Sequence, residues 1–146
     1  MPPEPQPRTT DRVGYLLKRA QSALNAAMSA ALADYGITLP QYAVLNALDE
    51  EPGLSNADLA RRAFVTPQTM NQVLRELEGK QLVIRRPHPV HGRVLQAHLT
   101  SGGRQILSGC RPAADAVEAR MLAHLSRTQQ MQFAEALGTC VEALLG

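Results

Sequence analysis

The chain has 146 residues, 45% of them apolar, 19% charged and 3% aromatic, with no tryptophan and a net charge of +2. That is one globular domain's worth of sequence, and a composition rich in alanine and leucine excludes a disordered chain and favours helices over a β-sandwich. With no long apolar run, no basic-then-apolar start and only two cysteines, Cys110 and Cys140, a membrane span, a secretory signal and a disulfide scaffold are all disfavoured, so the expectation is a cytoplasmic protein.

Prolines at positions 2, 3, 5 and 7 predict an extended, mobile arm over 1–10. From Asp11 to Tyr35, the residues Val13, Leu16, Leu17, Ala20, Leu24, Ala27, Met28 and Ala31 recur at three- and four-residue steps. This predicts a helix of about seven turns, stopped by Gly36. So long a helix outreaches the core of a small domain, and part of its stripe is expected to meet another chain. A second helix is expected over 40–49, opened by Thr38 or Pro40 and carrying Tyr42, Val44, Leu45 and Leu48. Glu51-Pro52-Gly53 then breaks the chain. Ser55 with Asp58 reads as a capping box for a short third helix, Asn56 to Ala63, burying Leu59 and Ala60. Thr66 as N-cap and Pro67 in the first turn open a fourth helix that ends near Gly79.

Residues 82–86 and 94–99 read as two short strands, joined into a hairpin by the turn-rich stretch 87–92. Thr100 begins another long helix with Ile106, Leu107, Cys110, Ala114, Val117, Met121 and Leu125 on its stripe, and Pro112 predicts a kink over 108–112. A last helix follows Ser126, whose capping box is completed by Gln129, with Met131, Ala134, Leu137, Val141 and Leu144 expected to face inward. The fold class is therefore mainly α with a small β-hairpin: a winged helix-turn-helix flanked by N- and C-terminal helices.

Charge is uneven along this order. Residues 55–104 hold eight basic and three acidic side chains, a net +5, whereas the rest of the chain sums to −3. A polyanion would be drawn to the middle segment, although a solvated, salt-bridged surface has the same composition. On the fourth helix, Met70, Val73, Leu74 and Leu77 share one face, while Gln68, Asn71, Gln72 and Arg75 occupy the other with Thr69 and Glu76 at its margin. Amides suit adenine edges and arginine suits guanine or phosphate, so this face fits major-groove readout. In the hairpin, Arg85, Arg86 and Arg93 are placed to follow a phosphate backbone or enter a minor groove. The helix starts at Ser55 and Thr66 offer backbone N–H groups to phosphates. Arg61 and Arg62 are open to two roles, partners for Asp58 or phosphate contacts.

The segments LPQYAVLNAL, SNADLARRAFVTPQTMNQVLRELEGKQLVIRR and HGRVLQAHLTSGG, in that order, resemble the MarR family of bacterial transcription regulators. The resemblance implies a homodimer, with dimerisation helices over 11–36 and 105–146 and a winged-helix part over 38–104. It also implies a repressor that binds a pseudo-palindromic operator in double-stranded DNA and is released by a small phenolic or anionic effector. By the same resemblance Gln68, Thr69, Asn71 and Gln72 match the base-facing part of the recognition helix, and Arg93 matches the wing arginine. Two departures stand out. His91 and Gly92 replace the acidic and basic residues that usually precede the wing arginine, and Gln72 stands where arginine is frequent.

Other chemistries find less support. His88, His91 and His98 lack a fourth ligand type nearby, so no metal is expected. His88 and His91 are instead expected to gain charge near a phosphate, raising DNA affinity as pH falls. Cys110 and Cys140 fall on apolar stripes and read as inert core thiols. No nucleophile elbow, phosphate-binding loop or zinc-protease motif is present, so neither an enzyme nor a cofactor is expected. Tyr15 and Tyr42 either line an effector pocket beside an arginine or pack in the core or an interface. An alternative function, a helical dimer whose winged helix binds protein, is separated from the first by salt dependence, because phosphate contacts release counterions.

Overall fold

The computed structural model describes residues 1–146. Residues 1–8 carry no regular structure, and a single 3-10 turn, Thr9–Asp11, leads into α1, Val13–Ala33. There follow α2 (Leu39–Glu50), α3 (Asn56–Ala63), α4 (Pro67–Gly79), β1 (Val83–Pro87), β2 (Leu95–Leu99), α5 (Ser101–Leu122) and α6 (Arg127–Leu145). No helix is long and apolar enough to cross a membrane.

Local chemistry sets these boundaries. Thr38, Ser55 and Ser126 each accept from the backbone N–H three residues on, and Gln41, Asp58 and Gln129 return a side-chain bond to the cap's own N–H. Thr66 and Thr100 cap α4 and α5 in the one-way form. Helix α1 is shorter than the predicted span because Asp11 belongs to the 3-10 turn and the other end closes early. There the Ile37 N–H reaches back to the Leu32 carbonyl at 3.3 Å, with Gly36 at a φ of 68°. The same closure ends α3, but with Phe64 at a φ of 56° in the left-handed position that glycine usually fills. Its ring is 95% exposed and contributes little burial. Phe64→Gly is therefore expected to raise stability by about 0.5–1 kcal/mol, read as a higher denaturation midpoint at unchanged slope.

The core lies where α2, α3, α4, the start of α5 and the hairpin converge. Leu45, Leu48, Leu59, Met70, Leu74, Leu77, Val83 and Leu107 are all at most 1% exposed there. The four apolar residues expected on the inner face of α4 are all buried. Strands β1 and β2 pair antiparallel, with Val83 opposite Leu99 and Pro87 opposite Leu95. The outer edge of β2 is covered by the loop after α2: the Gly53 N–H donates to the Ala97 carbonyl and the Ala97 N–H to the Leu54 carbonyl, both at 3.0 Å. The hairpin is thereby tied to the helical core on both sides.

Helix α5 runs without interruption through Pro112, the residue on which a kink over 108–112 is expected. Two expectations need correction. Helix α6 has no buried residue: Met131 is 66% and Leu144 88% exposed, although both are expected to face inward. Its apolar stripe is present, but its own chain buries none of it fully. Cys140, on this helix, is accordingly exposed, whereas Cys110 is buried on α5 and desolvation pushes its thiol up from the ordinary range.

Candidate nucleic-acid interface

Helices α3 and α4 meet through the short turn Phe64-Val65-Thr66 and present the outer face of α4 to solvent. Gln68, Thr69, Gln72 and Arg75 are exposed on it, and Asn71 is half-buried. Thr66 spends its hydroxyl oxygen on the Thr69 N–H at 3.1 Å, which rigidifies the first turn of the helix. No acidic residue stands in that turn, so its N-terminus keeps its positive dipole end for an anion. The start of α3 differs. Asp58 accepts from the Ser55 N–H and hydroxyl, is held below the usual carboxylate range chiefly by those bonds, and pairs with Arg61. A carboxylate thus occupies the place where Ser55 is expected to help hold a phosphate.

The basic residues divide into two groups. Arg61 is paired with Asp58, as one of its two open roles has it, and Arg62 is paired with Glu51. Arg85 is also engaged. Its Nε and Nη2 both reach Glu78 Oε1, at 2.8 and 2.7 Å, and its Nη1 donates to Asn71 Oδ1 at 3.0 Å. Its side chain is only 15% exposed. The expectation of a free phosphate contact at Arg85 therefore gives way to a clamp that fixes β1 against α4. Arg75, Arg86 and Arg93 are exposed and make neither an ion pair nor a side-chain hydrogen bond.

The tip of the wing is organised by a histidine. His88 Nδ1 accepts from the backbone N–H groups of Val90 and His91, both at 3.0 Å, and the two imidazole rings lie 5.1 Å apart. Both bonds use the lone pair on Nδ1, so His88 serves the turn as an acceptor. The His91 ring remains exposed beside Gly92 and Arg93. No third histidine, cysteine or carboxylate joins them in a cluster.

Tyr42 is buried in α2, whereas Tyr15 is 42% exposed on α1. Arg111 of α5 reaches across to α2, donating to Asn46 Oδ1 and Asp49 Oδ2, each at 2.9 Å. Asp49 first, and Tyr42 to a lesser degree, hold its guanidinium charged more firmly than usual. A separate open cleft of about 220 Å³ between α1 and α5 is lined by Ala20, Ala23, Leu24, Ala27, Val117, Arg120 and Met121. Neither tyrosine lines it.

Sequence reasoning overlooked Gln41 and Glu78, and it singled out His88 for its charge and not for the turn it closes. Gln41 had a legible signal, since Thr38-x-x-Gln41 is a capping-box spacing. The roles of Glu78 and His88 have no comparable local signature.

A capped recognition helix with a polar outer face, clamped to a β-wing that carries unpaired arginines, defines a winged helix-turn-helix transcription regulator. The chain is 46% identical over 121 residues to the HTH-type transcriptional repressor Rv2887 of Mycobacterium tuberculosis (strain ATCC 25618 / H37Rv), covering 83% of this chain and 87% of that one. It belongs to the MarR family, whose sequence profile matches residues 35–94. The crystal structure of Rv2887 with salicylic acid aligns with a TM-score of 0.73 at 42% identity, covering 94% of this chain and 98% of that one. The structure of Rv2887 with DNA aligns with a TM-score of 0.73 at 41% identity, covering 88% and 97% of the two chains.

Proposed function

We propose that this protein is a cytoplasmic homodimeric repressor that binds a pseudo-palindromic operator and leaves it when a small aromatic acid binds. The observation that carries the DNA reading is the separation of its arginines. Those behind the recognition helix are neutralised by carboxylates, whereas Arg75, on the helix, and Arg86 and Arg93, on the wing, are left without partners. Unpaired guanidinium groups flanking a row of amides suit phosphates on either side of a base-reading surface. In this reading Gln68, Thr69, Asn71 and Gln72 face bases, and Thr66 offers its helix N-terminus to a phosphate. Arg75, Arg86, His91 and Arg93 contact the backbone, Arg85 holds the wing in register, and Ser55 acts through the cap it makes with Asp58.

The unpartnered apolar stripe of α6 and the exposed Val13, Leu16 and Leu17 of α1 support dimerisation over 11–36 and 105–146. Two copies would place two winged helices on one duplex about a helical turn apart. For the effector, the relative crystallised with salicylic acid supports an aromatic carboxylate. Tyr42 beside Arg111 is the aromatic and cationic pair in this chain closest to that chemistry.

The test is fluorescence anisotropy against duplexes tiled across the region upstream of the protein's own gene. We expect one tile to bind tightly, with affinity falling about a thousandfold between 50 and 200 mM salt if six phosphates are contacted. Arg93→Ala should lower the log–log salt slope by about one for each subunit bound. Equal, weak and salt-insensitive binding of every tile would overturn the DNA reading in favour of a protein partner.

A further inference from the structure

Gln41 is the single buried polar residue of the chain, 2% exposed. Its amide is held from both ends. Oε1 accepts from the Thr38 N–H and from Lys80 Nζ, each at 3.1 Å, while Nε2 donates to Glu76 Oε2 at 3.0 Å. An ammonium only donates and a carboxylate only accepts, so the Gln41 amide has one permitted orientation. Lys80 is itself anchored, donating to the Gly36 carbonyl at 2.7 Å.

The second oxygen of Glu76 carries this constraint outward. Oε1 accepts from Gln72 Nε2 at 3.3 Å, one helical turn back on α4. Gln72 must therefore turn its nitrogen toward Glu76, because its own oxygen would meet a carboxylate there. A glutamate on a face that approaches phosphates weakens binding electrostatically, so its presence calls for a compensating role. The orientation of Gln72 supplies one. Its Oε1 remains an acceptor, and its second N–H remains a donor, in a fixed sense. Adenine offers a donor at N6 and an acceptor at N7 in the major groove, whereas guanine offers acceptors at both N7 and O6.

We propose that Glu76 is a positioning residue that sets Gln72 to read adenine, with Gln41 and Lys80 holding Glu76 in place. The proposal rests on the DNA-binding reading above and assigns a base to one side chain within it. It also makes the effect of Glu76→Gln directional. An amide at position 76 has one acceptor, which Gln41 claims because its own amide cannot flip. The new NH2 group then faces Gln72 and turns it over, so that Gln72 presents donors outward. Preference should move from adenine toward guanine.

The full-length protein is first used to select duplexes from a randomised library, and the selection is repeated with Gln72→Ala. The position whose adenine preference disappears in Gln72→Ala is the one Gln72 reads. Anisotropy titrations then compare the selected duplex with versions carrying guanine or 7-deazaadenine at that position. Wild type should lose about 5- to 150-fold in affinity for either replacement. Glu76→Gln should lower the adenine-over-guanine ratio at least fivefold, and Glu76→Ala should lower it toward one, with thermal unfolding verifying that both variants fold. Equal weakening on every duplex, with the adenine-over-guanine ratio unchanged, would reduce Glu76 to a structural role and overturn the proposal. So would an unaltered base preference in Gln72→Ala. If wild-type protein enriches no sequence, the DNA-binding reading itself fails, an outcome distinct from both.

Discussion

Replacing Gly103 with alanine should lower stability by about 3 kcal/mol and the melting temperature by roughly 6–12 °C. Helix propensity alone predicts the opposite sign, a gain of up to about 1 kcal/mol. The reversal comes from the way α5 begins. Thr100 Oγ1 accepts from the Gly103 N–H at 2.9 Å, and this first turn packs directly on the backbone that leaves α4 for β1. A Cβ on Gly103 would stand 2.1 Å from the Leu82 carbonyl oxygen and 3.1 Å from its carbon. That oxygen already accepts the Thr100 N–H at 3.1 Å, so it cannot retreat without loss. Gly79→Ala is the matched control, because nothing lies within 4 Å of a Cβ there, and it should leave stability equal or slightly higher. Denaturant titration of both variants decides the matter: Gly103→Ala at or above wild-type stability would mean that the start of α5 is not in this close contact.

Arg85→Ala and Arg86→Ala, neighbours on one strand that remove the same charge, should behave differently. The Arg85 guanidinium is largely buried and holds two residues of the recognition helix, Asn71 and Glu78. Its removal leaves Glu78 without its cation and frees the wing, so stability should fall by about 1–2 kcal/mol. Affinity should fall about tenfold on any operator, because a mobile wing no longer presents Arg93 in a fixed place. Arg86 is exposed and unpaired. Arg86→Ala should change stability by no more than about 0.5 kcal/mol while lowering the salt slope by about one per subunit. Chemical denaturation and binding at several salt concentrations separate the two. Equal stability losses would mean that Arg85 is not a clamp, and equal slopes in wild type and Arg86→Ala would remove Arg86 from the phosphate contacts.

The same clamp answers a question raised by the wing's composition. His91 and Gly92 lack the charged pair that usually steadies this hairpin in the family, yet the wing is not left unsupported. At its base, Arg85 joins it to Glu78 and Asn71, and at its tip, His88 closes the turn through two backbone N–H groups. The support has moved to other residues while the arginine it presents, Arg93, remains exposed.

Much of the fold was legible in the chain because the deciding interactions span four residues or fewer. The caps at Ser55, Thr66, Thr100 and Ser126 act on their own first turns, so residue type and spacing suffice to place helix starts. The inner face of α4 follows from the helical period alone, and so does its outer row of amides. The left-handed Phe64 was not legible, because nothing in its residue type signals a conformation usually left to glycine. Nor was the exposure of α6, whose periodicity marks an apolar stripe without saying which surface covers it.

The candidate site divides in the same way. Periodicity and composition were enough to nominate Gln68, Gln72, Arg75, Arg86 and Arg93, since each needs only its place on a face. Distinguishing Arg85 from Arg86, or seeing that Glu76 joins Gln72 to Gln41, required distances between elements far apart in sequence. Gln41 and Glu76 are 35 positions apart and meet only because α2 and α4 pack against the same core. Local spacing encodes where a helix begins and which of its faces is polar. Which polar side chains are consumed inside the molecule and which stay exposed and unpaired depends on the packing of distant segments, and that was settled only in three dimensions.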